Sequence, residues 1–317
     1  MSRIIRRQLF ELLDTLDEAD KVIGNILKSK DHTGLTNLLA DCQDCAITIG
    51  TQIEKIYPAA IRSIKELEDY CENLFHLLQA AENHSAMDSE KKQLKVTLKN
   101  IRKTMEEEIP DKVEIAFMPY KASMWDALES VYLAAKEDED CEAYCVPIPY
   151  FDKNPDGSLA VMHDERDEYP ENIEVTSWEE YKLEERRPDI IYIHNPYDDS
   201  NYVTCVHPKF FSKNLKKYTD KLVYIPYFVA PEIMPDEQER IEKMKHFCFL
   251  PGIIFADYVI LQSENIRQIY INEYIKAAKA HGLGGEHVDK KYLEKKFLGL
   301  GSPKFDKVLS CRREDYI

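Results

Sequence analysis

The sequence of 317 residues contains no uninterrupted apolar run of about 18 residues, the length needed for a membrane-spanning helix. Its start, Met1-Ser-Arg-Ile-Ile-Arg-Arg7, carries charge with no apolar stretch behind it, so no secretion signal is expected and a cytoplasmic location is. Long lysine and arginine stripes are missing too. With a net charge of -16 opposing the phosphate backbone, nucleic acid is not expected as a partner. Neither a Gly-x-Gly-x-x-Gly after the first strand nor a Walker loop is present, which removes the usual dinucleotide and P-loop signatures, and no cofactor is expected. The eight cysteines (42, 45, 71, 141, 145, 205, 248 and 311) lack paired spacing for zinc and read as reduced thiols. Cys42 and Cys45 share a helical stripe, a core pattern, so no metal is expected.

What is present is enough apolar content, 44% hydrophobic, for a proper core, and a length that fits two domains or one domain with an extension. Residues 1–110 read as all helix. Apolar positions recur at helical spacing through Ile5, Leu9, Leu12, Leu16, Ile23 and Ile26, then Leu35, Leu38, Leu39, Cys42, Ile49, Ile53 and Ile56. A third segment carries Ile61, Ile64, Leu67, Cys71, Leu74 and Leu78, with Pro58 either kinking it off the second or lying in its first turn. The last, opened by Asp88-Ser89, carries Leu94, Leu98, Ile101 and Met105 and ends before Pro110. Such stripes are buried in a helical bundle or hairpin, or by pairing with a second copy or a partner enzyme. Arg3, Arg6 and Arg7 beside Ile4, Ile5, Leu9 and Phe10 leave open a peripheral helix at the inner membrane face, which Glu11, Asp14 and Asp17 oppose.

Residues 111–317 alternate strand and helix. Lys112-Val-Glu-Ile-Ala-Phe-Met-Pro-Tyr120 predicts a buried strand, Ser123 a helix cap, and Ala143-Tyr-Cys-Val-Pro-Ile-Pro-Tyr150 a second strand. Phe151 to Arg187 reads as a polar surface insertion overhanging the cleft, with a turn at Asn154-Pro-Asp-Gly157 and the acidic run His163 to Tyr169. Further strands follow at Arg187–His194, Lys221–Ala230, Asp257–Ser263 and Lys296–Gly301, with helices at Pro208–Tyr218, Glu237–Phe249 and from Ser263 or Asn265 onward. This order predicts an α/β domain with a Rossmann-like, largely parallel sheet. Ligands in such sheets lie beyond the carboxyl ends of the strands.

The candidate site residues are those that these strand ends would deliver. His194 is the candidate general base, with Asn195, Tyr197, Asp198 and Asp199 placed to orient its ring; a hydrogen-bonded histidine at a strand end is the plainer alternative. Lys121 and Ser123 sit on a strand-to-helix turn suited to a phosphate, or else form a solvated lysine and a cap. Ser302 and Lys304 occupy a similar helix start. Tyr120, Tyr150, Tyr197 and Tyr227 end four strands next to prolines, and they either floor one pocket or cover the sheet's end.

The segments Lys121-Ala-Ser-Met-Trp-Asp-Ala-Leu-Glu-Ser130, Val-Pro-Ile-Pro-Tyr150, Tyr-Ile-His-Asn-Pro-Tyr-Asp198, Val-Tyr-Ile-Pro-Tyr-Phe228 and Leu-Gly-Ser-Pro-Lys-Phe-Asp306 resemble the CDP-glycerol glycerophosphotransferase-like proteins of teichoic acid synthesis. The amino-terminal helices, through Ala46-Ile-Thr-Ile-Gly50 and Leu67-Glu-Asp-Tyr-Cys71, are similar to an extension found in one branch of that group. The resemblance implies a glycosyltransferase-B-like fold in which this α/β region is the acceptor-side lobe for a glycerol-phosphate or other polyol acceptor. It also implies a donor lobe after Gly301-Ser-Pro-Lys-Phe-Asp306, whereas this sequence ends at Ile317, so the donor seat is expected to be missing. A His-Gly pair expected after Val-Tyr-Ile-Pro-Tyr227 is replaced by Phe228, Val229 and Ala230, none of which can take a proton. Two expectations follow: a cell-envelope transferase half completed by a separate donor lobe, or a non-catalytic interaction protein on a vestigial lobe.

Overall fold

Leucines and isoleucines three and four positions apart fall on one side of an α-helix, and the first hundred residues bury four such stripes against one another. In the computed structural model, which describes residues 3–29, 31–83, 87–109 and 111–311, this region forms α1 (Arg3–Ser29), α2 (His32–Ile56), α3 (Ile61–Glu82) and α4 (Met87–Glu108). The side chains of Arg3 and Ile4, and all of Pro110 and Ile317, lie outside the described residues. Successive helices pack together, α1 also meets α4, and the chain divides into compact units Met1–Lys112 and Val113–Ile317. The inward stripe of α1 uses Leu9, Leu13 and Leu16, with Leu12 only half buried. Pro58 lies in the turn between α2 and α3, neither kinking a helix nor inside one; Ile61, the first residue of α3, is exposed. Asp31 caps α2 by accepting from Gly34 N–H at 2.9 Å, and Arg102 of α4 bridges Asp14 and Asp17 of α1 at 2.5 and 2.7 Å. No helix among the described residues is long and apolar enough to cross a membrane.

The second unit is built on six parallel strands, β1 (Val113–Met118), β2 (Cys141–Cys145), β5 (Ile190–Ile193), β7 (Lys221–Tyr224), β8 (Tyr258–Leu261) and β9 (Phe297–Gly299). Their order across the sheet is β2-β1-β5-β7-β8-β9. Alternate residues serve opposite faces: Ala116, Met118, Ile191, Ile193, Leu222 and Tyr224 enter one core, while Ile115, Phe117, Val223 and Ile225 enter another. Burial on both faces explains why these strands are almost continuously apolar. After β1 a 3-10 turn (Ala122–Ala127) precedes α5 (Glu129–Glu137). Lys121 is the extended residue before that turn, so Ser123 falls inside it, exposed and capping nothing, contrary to the cap predicted from its position.

The polar excursion is more structured than its composition predicts. It forms β3 (Tyr150–Lys153), β4 (Leu159–His163), α6 (Trp178–Tyr181) and α7 (Leu183–Arg186); β3 and β4 join β6 (Thr204–Val206) in a separate antiparallel sheet, ordered β4-β3-β6. The single strand expected through Tyr150 is thus two elements, with Val146 and Ile148 still donating to carbonyls of Phe117 and Pro119 on the way. Helices α8 (Ser212–Leu215), α9 (Gln238–Met244), α10 (Pro251–Phe255), α11 (Glu264–Ala280), α12 (Lys290–Lys296) and α13 (Pro303–Ser310) complete the unit. Ser263 caps α11 by accepting from Ile266 N–H.

One helix sets the path of the chain after β5. Gly252 of α10 donates its N–H to Pro196 carbonyl at 2.8 Å, and a Cβ on Gly252 would lie 2.7 Å from Pro196 Cα and 3.2 Å from Asn195 carbonyl oxygen. Both neighbours are main chain and cannot rotate aside. Gly252→Ala is therefore expected to lower the stability of this unit by about 1–3 kcal/mol, seen as a lower thermal midpoint. An unchanged midpoint would show that the loop after β5 yields freely.

Candidate functional site at the sheet's switch point

Adjacent strands β1 and β5 run to opposite sides of the sheet order as the chain leaves them: β1 leads outward to β2, β5 inward to β7. Loops that part in this way open a crevice at the carboxyl ends, the place where open α/β sheets hold ligands. Register fixes what meets there. Met118 lies opposite Ile193, which sets His194 beside Tyr120.

His194 is fully buried, and its Nε2 accepts the main-chain N–H of Tyr120 at 3.0 Å. A ring whose Nε2 accepts carries its proton on Nδ1, and Nδ1 makes no hydrogen bond of good geometry. Burial pushes the pKa of His194 down to about 3, the Met124 carbonyl opposing the shift and the Lys304 ammonium reinforcing it. The reading of His194 as a general base does not fit this geometry, because its one lone pair is engaged and water does not reach it. The ring joins the ends of β1 and β5. Tyr120 and Tyr227 pack edge-on against it, centroids 5.4 and 6.2 Å away.

Asp198 does not orient His194. Its backbone is left-handed (φ 50°), and its carboxylate accepts from Ser212 N–H at 2.9 and 3.0 Å and from Ser212 Oγ at 2.8 Å, tying down the start of α8. Burial raises its pKa to about 6 against the lowering effect of those bonds. Asn195 Oδ1 accepts from Tyr197 N–H at 3.1 Å and shapes the same loop. Burial, together with a hydrogen bond to Tyr227, holds the Tyr197 phenol above its usual pKa.

Lys121 is placed differently. Its ammonium lies 4.8 Å from the Tyr150 ring centroid and 5.7 Å from that of Tyr120, and it forms no ion pair among the described residues. Tyr120 and Tyr150 pack edge to face at 5.4 Å. A carboxylate absent from the sequence-derived set closes this group: Glu165 accepts from Ala122 N–H at 2.8 Å and from Tyr150 OH at 2.6 Å. Glu165 had been visible only as one member of an acidic run. Nothing local to it signals a partner 43 positions away.

Ser302 and Lys304 dock α13 onto the turn after β1. Ser302 Oγ accepts from Lys304 N–H at 3.4 Å, and Lys304 Nζ pairs with Asp126 at 2.5 Å. Ser130 with Asp306 (2.7 Å) and Lys307 with Glu129 (2.9 Å) extend the seam. The residues predicted for one site thus separate into a cluster of Lys121, Tyr120, Tyr150, His194 and Tyr227, loop-shaping Asn195, Tyr197 and Asp198, docking Ser302 and Lys304, and exposed Ser123.

Fold and site together define an all-helical unit followed by an open α/β unit of the Rossmann-like kind, whose chain reverses direction across the sheet between β1 and β5. No known family, curated protein or solved structure matches the chain when it is compared with them.

Proposed function

We propose that the α/β unit recognises a phosphorylated polyol at the β1/β5 crevice, in the manner of the acceptor-side lobe of a CDP-glycerol glycerophosphotransferase of teichoic acid type. The observation that carries this reading is Lys121, a cation with no ion pair among the described residues, held over two tyrosine rings at the edge where such sheets bind ligands. An ammonium supplies charge for a phosphate, and the half-buried Tyr227 ring supplies an apolar face and a hydroxyl for a polyol. The neutral, enclosed imidazole of His194 favours binding without activation of an acceptor hydroxyl by that residue. That same observation supports the second reading, a non-catalytic interaction protein that keeps the crevice as a binding site.

Titration of the full chain with sn-glycerol 3-phosphate tests the reading. Lys121→Met is expected to raise Kd roughly tenfold to a hundredfold, the worth of one hydrogen bond to a charged group, with circular dichroism unchanged. Equal affinity in the two proteins would remove Lys121 from the site.

A further inference from the structure

We propose that Glu165 is a built-in occupant of the Lys121 site, and that the hairpin carrying it is a strap which a phosphate-bearing ligand displaces; this rests on the reading of the crevice given above. Two donors hold the Glu165 carboxylate, and a cation lies against the ring of one of them. The main-chain N–H of Ala122 donates to one oxygen at 2.8 Å, the Tyr150 hydroxyl donates to the other at 2.6 Å, and the ammonium of Lys121 stands 4.8 Å from the same Tyr150 ring. A main-chain donor, a phenol donor and a cation form the kind of set that holds a phosphate monoester dianion. The carboxylate takes the two donors with less charge and leaves the cation without an ion pair among the described residues. Two anions cannot share the set, since neither would be screened from the other there.

The strap lies in a sheet separate from the main one. β3 and β4 belong to the small antiparallel sheet, and β4 is its outer strand, with Leu159, Val161 and Met162 exposed. Among the described residues, Glu165 alone of residues 154–168 hydrogen-bonds to the turn after β1. Other polar ties of this stretch stay on its own side of the crevice: Arg166 with Asp164, Ser177 and Glu179, and His163 with Asp152 at 2.7 Å. Releasing one side chain therefore frees the seat while leaving the strap anchored at its base.

The test uses the full chain, sn-glycerol 3-phosphate as probe, and hydrogen exchange of residues 150–168. Glu165→Ala is expected to lower Kd at least tenfold, Glu165→Gln to fall between that variant and wild type, and saturating probe to speed exchange across 159–165 in wild type. Unchanged or weaker binding by Glu165→Ala, with Lys121→Met still impaired, overturns the strap and leaves the crevice reading standing. Absence of binding by wild type and Glu165→Ala alike overturns both.

Discussion

Arg186→Ala is expected to cost the α/β unit roughly 3–5 kcal/mol of unfolding free energy, the penalty for removing one partner of a buried ion pair. Glu114 is wholly enclosed near the start of β1, where Arg186 Nε reaches its Oε1 at 2.7 Å and the Tyr181 hydroxyl donates to the same oxygen at 2.8 Å. The guanidinium is itself sandwiched, 4.4 Å from the Tyr144 ring and 5.1 Å from that of Tyr181. Alanine would remove the cation, the stacking and the packing of the arginine stem together. Urea unfolding followed by tryptophan fluorescence reports on this unit alone, because Trp125 and Trp178 both lie in it. A paired Glu114→Leu, Arg186→Leu replacement should recover much of the loss, since it leaves no charge behind. A penalty for Arg186→Ala below about 1 kcal/mol, the worth of an exposed pair, would mean that water reaches this cluster.

His194→Gln should change how stability depends on pH more than it changes stability at neutral pH. In the unfolded chain the imidazole titrates near its ordinary 6.5, in the native state near 3, so within that window the unfolded chain binds a proton that the fold refuses. Native stability then falls as pH drops, by roughly 1.4 kcal/mol per unit. Asp198 acts in the opposite sense. With a native pKa of about 6 against 3.8 unfolded, it keeps a proton in the fold that the unfolded chain gives up, and the two slopes largely cancel between those values. The informative quantity is the stability of His194→Gln relative to wild type, which should shift by roughly 3 kcal/mol in the variant's favour from neutral pH to about pH 4. Glutamine can still accept from Tyr120 N–H, so the joint between β1 and β5 is kept in the variant. Parallel pH profiles, or an imidazole resonance titrating near 6.5 in NMR, would show that the ring is open to solvent.

Periodicity made the helical stripes and the apolar parallel strands legible, because burial on one helix face or both sheet faces leaves its mark residue by residue. The antiparallel sheet was not legible in the same way. β4 is exposed along nearly all its length, so Leu159-Ala-Val-Met162 lacks the in-out alternation that marks a half-buried strand. Ser123 looked like a cap because serine before an apolar run usually is one; the extended backbone at Lys121 starts the turn earlier. The role of His194 depends on register. Only the pairing of Met118 with Ile193 brings Tyr120 N–H to its lone pair, and register is a property of two strands that neither sequence segment contains alone. Asp198 with Ser212, Glu165 with Ala122 and Lys304 with Asp126 are ties of the same kind, invisible to any local window.

The seam between α13 and the turn after β1 joins residues 178 positions apart in the chain. On a ribosome adding about 5–20 residues per second, the partner of Asp126 emerges roughly 10–35 seconds after Asp126 itself. During that interval β1 and its turn exist without α13 packed against them, so this corner of the unit completes its packing only after Lys304 has emerged.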